Sequence, residues 1–415
     1  MRITATQIAE WAKTKEAQGS LPRLVRRLAH AAGTPTQVAF PAGDSTSLPG
    51  WDGELASEHN SPWVPWGTPF WEFSCEAPVT RKANRDYDKR TRQTLNEVHT
   101  NSTFVFVSAR RWSQKARWLE EKRAAREWVE VRAYDADDLE QWLEQSPPVT
   151  LQFAEERGIA GPGVESIAKH WGGWSQQSDP SISAEAFFID REGAREQFIV
   201  DLRRQVEVGQ PMPYAIRADS VDEATAFVCA ALLAHEDLSA ASLVVTEPGG
   251  WRFVEQNPTL RVASAARPEI AEKPAYRNGL LVIIPYAAGD MEGHYRGSAG
   301  RGGSADLTLE RPLIYKFERA LVSIGLSKAD ATRLAATTGR SWSILRRRRS
   351  MNPAIRRPAW LGIPQADALS TLCLLGGWSD DKAADREIVP HVSGRTYEEV
   401  ERAMRYLARA LMRKD

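Results

Sequence analysis

Gly50-Trp51-Asp52-Gly53 is followed about twenty residues later by Phe70-Trp71-Glu72-Phe73-Ser74. The first stretch puts a carboxylate in a Gly-flanked turn. The second puts one inside an aromatic run of β character. Burying an ionised Glu in such a strand is costly unless it is paired or bound to a cation. Two carboxylates carried on adjacent strands form a hard, oxygen-rich site of the kind Mg²⁺ prefers. The layout suits phosphodiester hydrolysis, in which a cation supplies Lewis acidity and offsets charge on the scissile phosphate.

Working outward from this pair, residues 1–30 read as two helices. Thr6 is placed to cap the first and Ser20 the second, with Pro22 in the first turn of the latter. Residues 35–77 are strand-like, residues 80–97 helical and heavily charged, and Thr103–Ser108 (TFVFVS) a buried strand. An amphipathic helix over 113–127, a strand over Trp128–Tyr134 and a capped helix over Asp135–Gln145 follow, up to a break at Ser146-Pro147-Pro148. This is an α/β order. Residues 151–183 are expected to link it to a second α/β unit over 184–310. That unit has helices at 192–207 and 221–235 and strands at Tyr214–Arg217, Ala241–Thr246 and Gly279–Ile284. Residues 287–304 read as an exposed Gly-rich loop. Residues 311–415 read as a basic helical lid and a C-terminal helical region, ending on a charged helix that admits a longer parent chain.

Composition narrows the class. The 415 residues exceed one ordinary core, so several domains are expected. Lys plus Arg and Asp plus Glu both total 54, so the chain as a whole has no electrostatic bias. Three cysteines far apart in sequence, Cys75, Cys229 and Cys373, suit neither a disulfide framework nor a zinc site. With no signal-peptide pattern and no apolar run of membrane length, the expectation is a cytoplasmic protein without a membrane partner.

On Gly50-Trp51-Asp52-Gly53, on Trp71-Glu72 and on the helix–strand–helix–strand order after them, residues 1–150 resemble the PD-(D/E)XK nuclease superfamily. The branch is the one found at the N-termini of bacterial multidomain defence proteins. The resemblance implies a restriction-endonuclease-like mixed-sheet domain, Mg²⁺ held by Asp52 and Glu72, and a Lys orienting the attacking water. The Lys expected two residues after the Glu is Ser74 here, and Lys82 on the next helix is the substitute, with Lys89 behind it. A competing reading makes Asp52 an ordinary turn residue and pairs Glu72 with Arg81 or Lys82.

Residues 184–350 resemble a P-loop ATPase domain of the STAND class, on Phe187-Phe188-Ile189-Asp190-Arg191 and on Thr338-Gly339-Arg340-Ser341. A working P-loop wraps phosphate in glycine amides and reaches it with a Lys. The corresponding stretch, Arg217-Ala218-Asp219-Ser220-Val221-Asp222-Glu223-Ala224, has no Gly, no Lys and three acids. Strand Leu280–Ile284 runs into Pro285-Tyr286 where an acid is needed. A degenerate P-loop-like domain that binds no ATP is expected, with an unrelated α/β domain as the alternative.

One charge asymmetry stands out. Residues 311–360 hold 12 Lys plus Arg against Glu318 and Asp330 alone. Arg346, Arg347, Arg348 and Arg349, with Arg356 and Arg357, are its densest part. They are expected to meet nucleic acid, DNA foremost, against the alternative of a solvated helix balanced by acids at 219–223 or 380–387. The sequence therefore reads as a Mg²⁺-dependent nuclease-like effector of antiphage defence with catalytic residues Asp52, Glu72 and Lys82. The alternatives are a non-catalytic nucleic-acid-binding module and a scaffold. A second copy of the chain or a partner protein is left open.

Overall fold

TFVFVS at 103–108 is a strand with all six residues buried. A strand without polar alternation needs cover on both faces, and the fold supplies it. A computed structural model describes residues 2–33, 35–41, 51–58, 61–208, 213–272, 274, 276–287, 305–356, 365–375 and 382–411. The first sheet contains β1 (Gln37–Ala39), β2 (Gly53–Ala56), β3 (Phe70–Ser74), β4 (Thr103–Ser108) and β5 (Glu130–Tyr134), paired in that order. β1, β2 and β3 are antiparallel to one another in turn; β3, β4 and β5 run parallel.

Period-two alternation divides β3 between two layers. Trp71 and Phe73 join Leu21, Leu24, Val25, Leu28, Trp142 and Phe153 under the helices Lys15–Ala32, Ala136–Glu144 and Pro147–Glu155. On the other face, Phe104 and Phe106 pack with Tyr87, Trp112, Trp118 and Trp128 beneath the helices Val79–Gln93 and Lys115–Ala125. Glu72 belongs to this second face by alternation.

Several expected boundaries shift. Thr4, not Thr6, caps the first helix, Ala5–Trp11, in a reciprocal capping box with Gln7. The second helix begins at Lys15 under Thr14 rather than at Ser20. A buried stripe of Ala17, Leu21, Leu24 and Leu28 runs unbroken through it and holds Pro22 in its interior. Helix Lys115–Ala125 is less amphipathic than expected and buries only Trp118. Pro147 and Pro148 do not end the domain. They open a helix, where a missing N–H costs nothing.

The stretch expected as a linker, 151–183, includes β6 (Val164–Ser166) and the helix Ile167–Ser175. β6 is the antiparallel edge of a second sheet. The other strands are β7 (Pro213–Ala218), β8 (Ser242–Val245), β9 (Val262–Ala265), β10 (Leu281–Ala287) and β11 (Leu307–Thr308), all parallel, and the order is β11-β7-β10-β9-β8-β6. Helices Glu192–Val208 and Val221–Leu233 pack with it. The expected loop falls almost wholly at 288–304, outside the described residues.

The chain divides into two compact units, residues 1–176 with 180–345 and residues 177–179 with 346–415. Both sheets and the helices Ile314–Ser323 and Lys328–Thr337 belong to the first. In the second, Ala368, Val389, Tyr397 and Val400 form a small core among the helices Ala366–Leu375, Ala383–Ser393 and Tyr397–Leu411. The architecture is a mixed α/β one. No helix among the described residues is long and apolar enough to cross a membrane.

Candidate functional site

The β2–β3 register pairs Gly53 with Trp71. One step back along β2 therefore sets Asp52 opposite Glu72. Asp52 Oδ2 accepts a hydrogen bond from the Phe73 amide at 3.0 Å, which holds the turn carboxylate against the strand. Asp52 is half-buried and Glu72 is 3% exposed. Burial and the Asp52 carboxylate push the Glu72 carboxyl up to about 8, against the pull of Arg90, with Asp86 adding to the rise. The two acids that sequence singled out are thus brought together.

Their counter-charges come from the Val79–Gln93 helix. Lys82, Asp86 and Arg90 recur every four residues, so they share one face. Arg90 Nε donates to Glu72 Oε1 in a buried ion pair, and its guanidinium carbon lies 4.6 Å from the Trp51 ring centroid. Lys82 Nζ donates to Asp86 Oδ1 at 3.0 Å and lies 3.8 Å from Glu76. Asp86 is buried, and that burial raises its carboxyl despite Lys82. Arg85 pairs with Glu76 at 3.0 Å. The partner of Glu72 is therefore Arg90, not Arg81 or Lys82. Lys82 enters the neighbourhood through Asp86, while Lys89 is exposed. Ser74, standing where a Lys was expected, is buried and accepts from the Glu76 amide at 3.0 Å, which turns the chain at the strand end. Sequence reasoning missed Asp86 and Arg90. Their four-residue spacing from Lys82 puts them on its helix face, but nothing in the sequence marks that face as the one turned to Glu72.

The donor chemistry of this centre suits a hard cation. Three carboxylates, Asp52, Glu72 and Asp86, act on one another against two cations, Lys82 and Arg90. Among the described residues no three His, Cys, Asp or Glu side chains are gathered as a metal site. An all-protein cage is therefore not what they form. Mg²⁺ takes one or two carboxylates and completes its shell with water and substrate phosphate; of the three carboxylates here, Asp52 and Glu72 are set opposite each other by the β2–β3 register, and Glu72 is already paired with Arg90.

At the second sheet, Ser220 caps helix Val221–Leu233 directly after β7, and the acids there are already engaged. Glu223, fully buried, pairs with Arg191 at 2.7 Å and accepts from Ser343 Oγ at 2.5 Å; Ser343 also meets Ser220 at 2.7 Å. Arg311 Nε lies 2.8 and 2.9 Å from the two carboxylate oxygens of Asp219 and holds it in place. Doubly wound sheets bind ligands at this carboxyl edge; here it is occupied by the chain's own ion pairs. β10 continues through Pro285 and Tyr286 to Ala287 with no acid at its end.

In the second unit, Arg346 donates to Gln177 Oε1 at 2.6 Å and Arg349 to the Asp179 carbonyl at 2.6 Å. Arg347, Arg348 and Arg356 are exposed, and Arg357 lies outside the described residues. Of the acids at 219–223, Glu223 pairs with Arg191 and Asp219 with Arg311. A cleft of about 560 Å³ opens elsewhere in the first unit, between Ala29–Gly33 and the starts of β8, β9 and β10, and includes none of the acidic centre. Compared with protein-family models, curated proteins and solved structures, the chain matches none.

Proposed function

We propose that the first sheet carries a Mg²⁺-dependent phosphodiesterase centre acting on DNA. It would sit on a restriction-endonuclease-like core and be joined to a P-loop-like domain that has lost its nucleotide, in a protein of antiphage defence. The observation that carries the reading is the convergence of Asp52 and Glu72 across the β2–β3 pair, faced by the Lys82–Asp86–Arg90 stripe. The strand directions support it as well: an antiparallel pair followed by parallel strands, with a charged helix between β3 and β4.

Asp52 and Glu72 would hold the cation, which when bound supplies Lewis acidity and charge neutralisation at the scissile phosphate. The Phe73 amide fixes the Asp52 carboxylate, so little reorganisation is needed at that ligand. Asp86 holds the Lys82 ammonium at the edge of the centre, where it orients water or offsets charge on the phosphate. Ser74 supplies no cation and keeps its structural hydrogen bond.

A second reading is favoured by one observation, the buried Glu72–Arg90 pair. An acid already neutralised by a guanidinium suits a nuclease-like fold kept for nucleic-acid binding alone. Cleavage of supercoiled plasmid separates the two. The catalytic reading expects nicking that needs Mg²⁺, stops with EDTA, and falls to background in Asp52→Ala and in Glu72→Ala without loss of the folded state. Cleavage surviving both substitutions would sink the assignment. Salt-sensitive DNA binding with no cleavage would favour the second reading.

A further inference from the structure

We infer that Arg90 is a built-in competitor for the cation: it occupies Glu72 at rest and must leave that carboxylate for a divalent ion to load. The inference rests on the proposed centre. Three observations carry it. Arg90 and Glu72 form a direct ion pair with side-chain exposures of 8% and 4%, so the carboxylate is masked by protein rather than by solvent. The neighbouring cation cannot take over, because Lys82 is committed to Asp86 at 2.9 Å and leans to Glu76. And Arg90 lies over the face of Trp51, the residue before Asp52, so one guanidinium touches both walls of the centre.

A guanidinium stays charged at any pH the protein meets, so the mask cannot be lifted by deprotonation; the group has to move. Glu72 cannot give one oxygen to both a guanidinium and a divalent ion, and two cations on one buried carboxylate repel each other. Loading therefore replaces one ion pair by another and costs the first. The displaced fork of N–H donors matches phosphate oxygens in pairs. A DNA phosphate entering the centre gives Arg90 a new acceptor, so substrate and cation favour each other's binding by linkage.

The test is calorimetric titration of the full chain with Mn²⁺ in the absence of DNA. Arg90→Gln keeps a hydrogen-bonding head but removes the charge. Compared at a pH where the Glu72 carboxyl is ionised in both proteins, it is expected to bind Mn²⁺ at least roughly tenfold tighter than wild type, since no ion pair has to be broken. Arg90→Lys, which keeps the charge, is expected to stay within about threefold of wild type. Affinity in Arg90→Gln no tighter than wild type, with binding lost in Glu72→Gln, would overturn the competition while leaving the proposed centre standing. Tight binding that persists in the Arg90→Gln/Glu72→Gln double variant, or no binding in any of these proteins, would overturn both. Should Arg90→Gln fail to fold, the wild type carries the test. The Arg90 side-chain N–H resonance, assigned by its loss in Arg90→Lys, should shift and lose exchange protection on saturation with Mg²⁺. An unchanged resonance at saturation contradicts the inference.

Discussion

Glu72 holds more proton affinity folded than unfolded, and this has a measurable sign. Its carboxyl rises from 4.5 to about 8 because burial and Asp52 outweigh Arg90. The charged groups acting on it are Asp52 from the turn before β2 and Arg90 and Asp86 from the helix, with Lys82 bonded to Asp86 behind them. A raised carboxyl contributes stability in full below its unfolded value, and that contribution is lost as pH rises towards the folded value. Urea midpoints measured at about pH 5 and about pH 8 should therefore fall for the wild type and fall less for Glu72→Gln. Equal declines would mean that Glu72 is ionised throughout. Asp52 and Glu72 were legible in sequence because each is chemically out of place, a carboxylate in a tight aromatic turn and another in an apolar strand. Arg90 was not. Its partner lies eighteen residues away on another element, and only the packing of the helix on the sheet selects it from its charged neighbours.

Among the elements, the carboxyl end of β7 was read by what it lacks, and the structure adds what replaces it. The Arg191–Glu223 pair joins the start of helix Val221–Leu233 to the loop before helix Glu192–Val208, with Ser343 as a third partner. Removing one member of a buried pair leaves an uncompensated charge. Glu223→Ala should cost about 3–5 kcal/mol in urea denaturation, and Arg191→Met/Glu223→Leu together clearly less. A loss within experimental error for the single variant would show the pair to be solvated. The same packing predicts that Mg·ATP gives no saturable heat in calorimetric titration, since Asp219 and Glu223 stand where phosphates would have to enter. Micromolar binding would contradict it. Long apolar strands such as TFVFVS declared themselves, whereas β9 did not. Val262-Ala263-Ser264-Ala265 has little β character of its own, and it is a central strand because β8 and β10 pair with it on either side. The prolines at 147–148 misled in the opposite way, since the residue type that ends helices also begins them.

For the whole molecule, zero net charge conceals a local excess, the basic run within residues 311–360. Within that run the structure separates Arg346 and Arg349, which bond to Gln177 and Asp179, from the exposed Arg347, Arg348 and Arg356. Replacing Arg347 and Arg348 by Ala should weaken duplex DNA binding alike for all sequences. It should flatten the log–log salt dependence by about 0.9 for each phosphate no longer neutralised, and leave thermal stability unchanged. Unchanged affinity at low salt would reject a nucleic-acid role for these two side chains. The charge block itself was legible from counting. Which arginines face outward was not, because that depends on the path of residues 177–179, far away in sequence. Everything proposed for the first sheet depends on Asp52 and Glu72 sharing a cation. Anomalous diffraction from crystals soaked in Mn²⁺ reads this out with no assay in between. The predicted result is one anomalous peak between the two carboxylates, with the Arg90 guanidinium drawn off Glu72. A fully soaked crystal with no peak there, and with the Glu72–Arg90 pair intact, would contradict it.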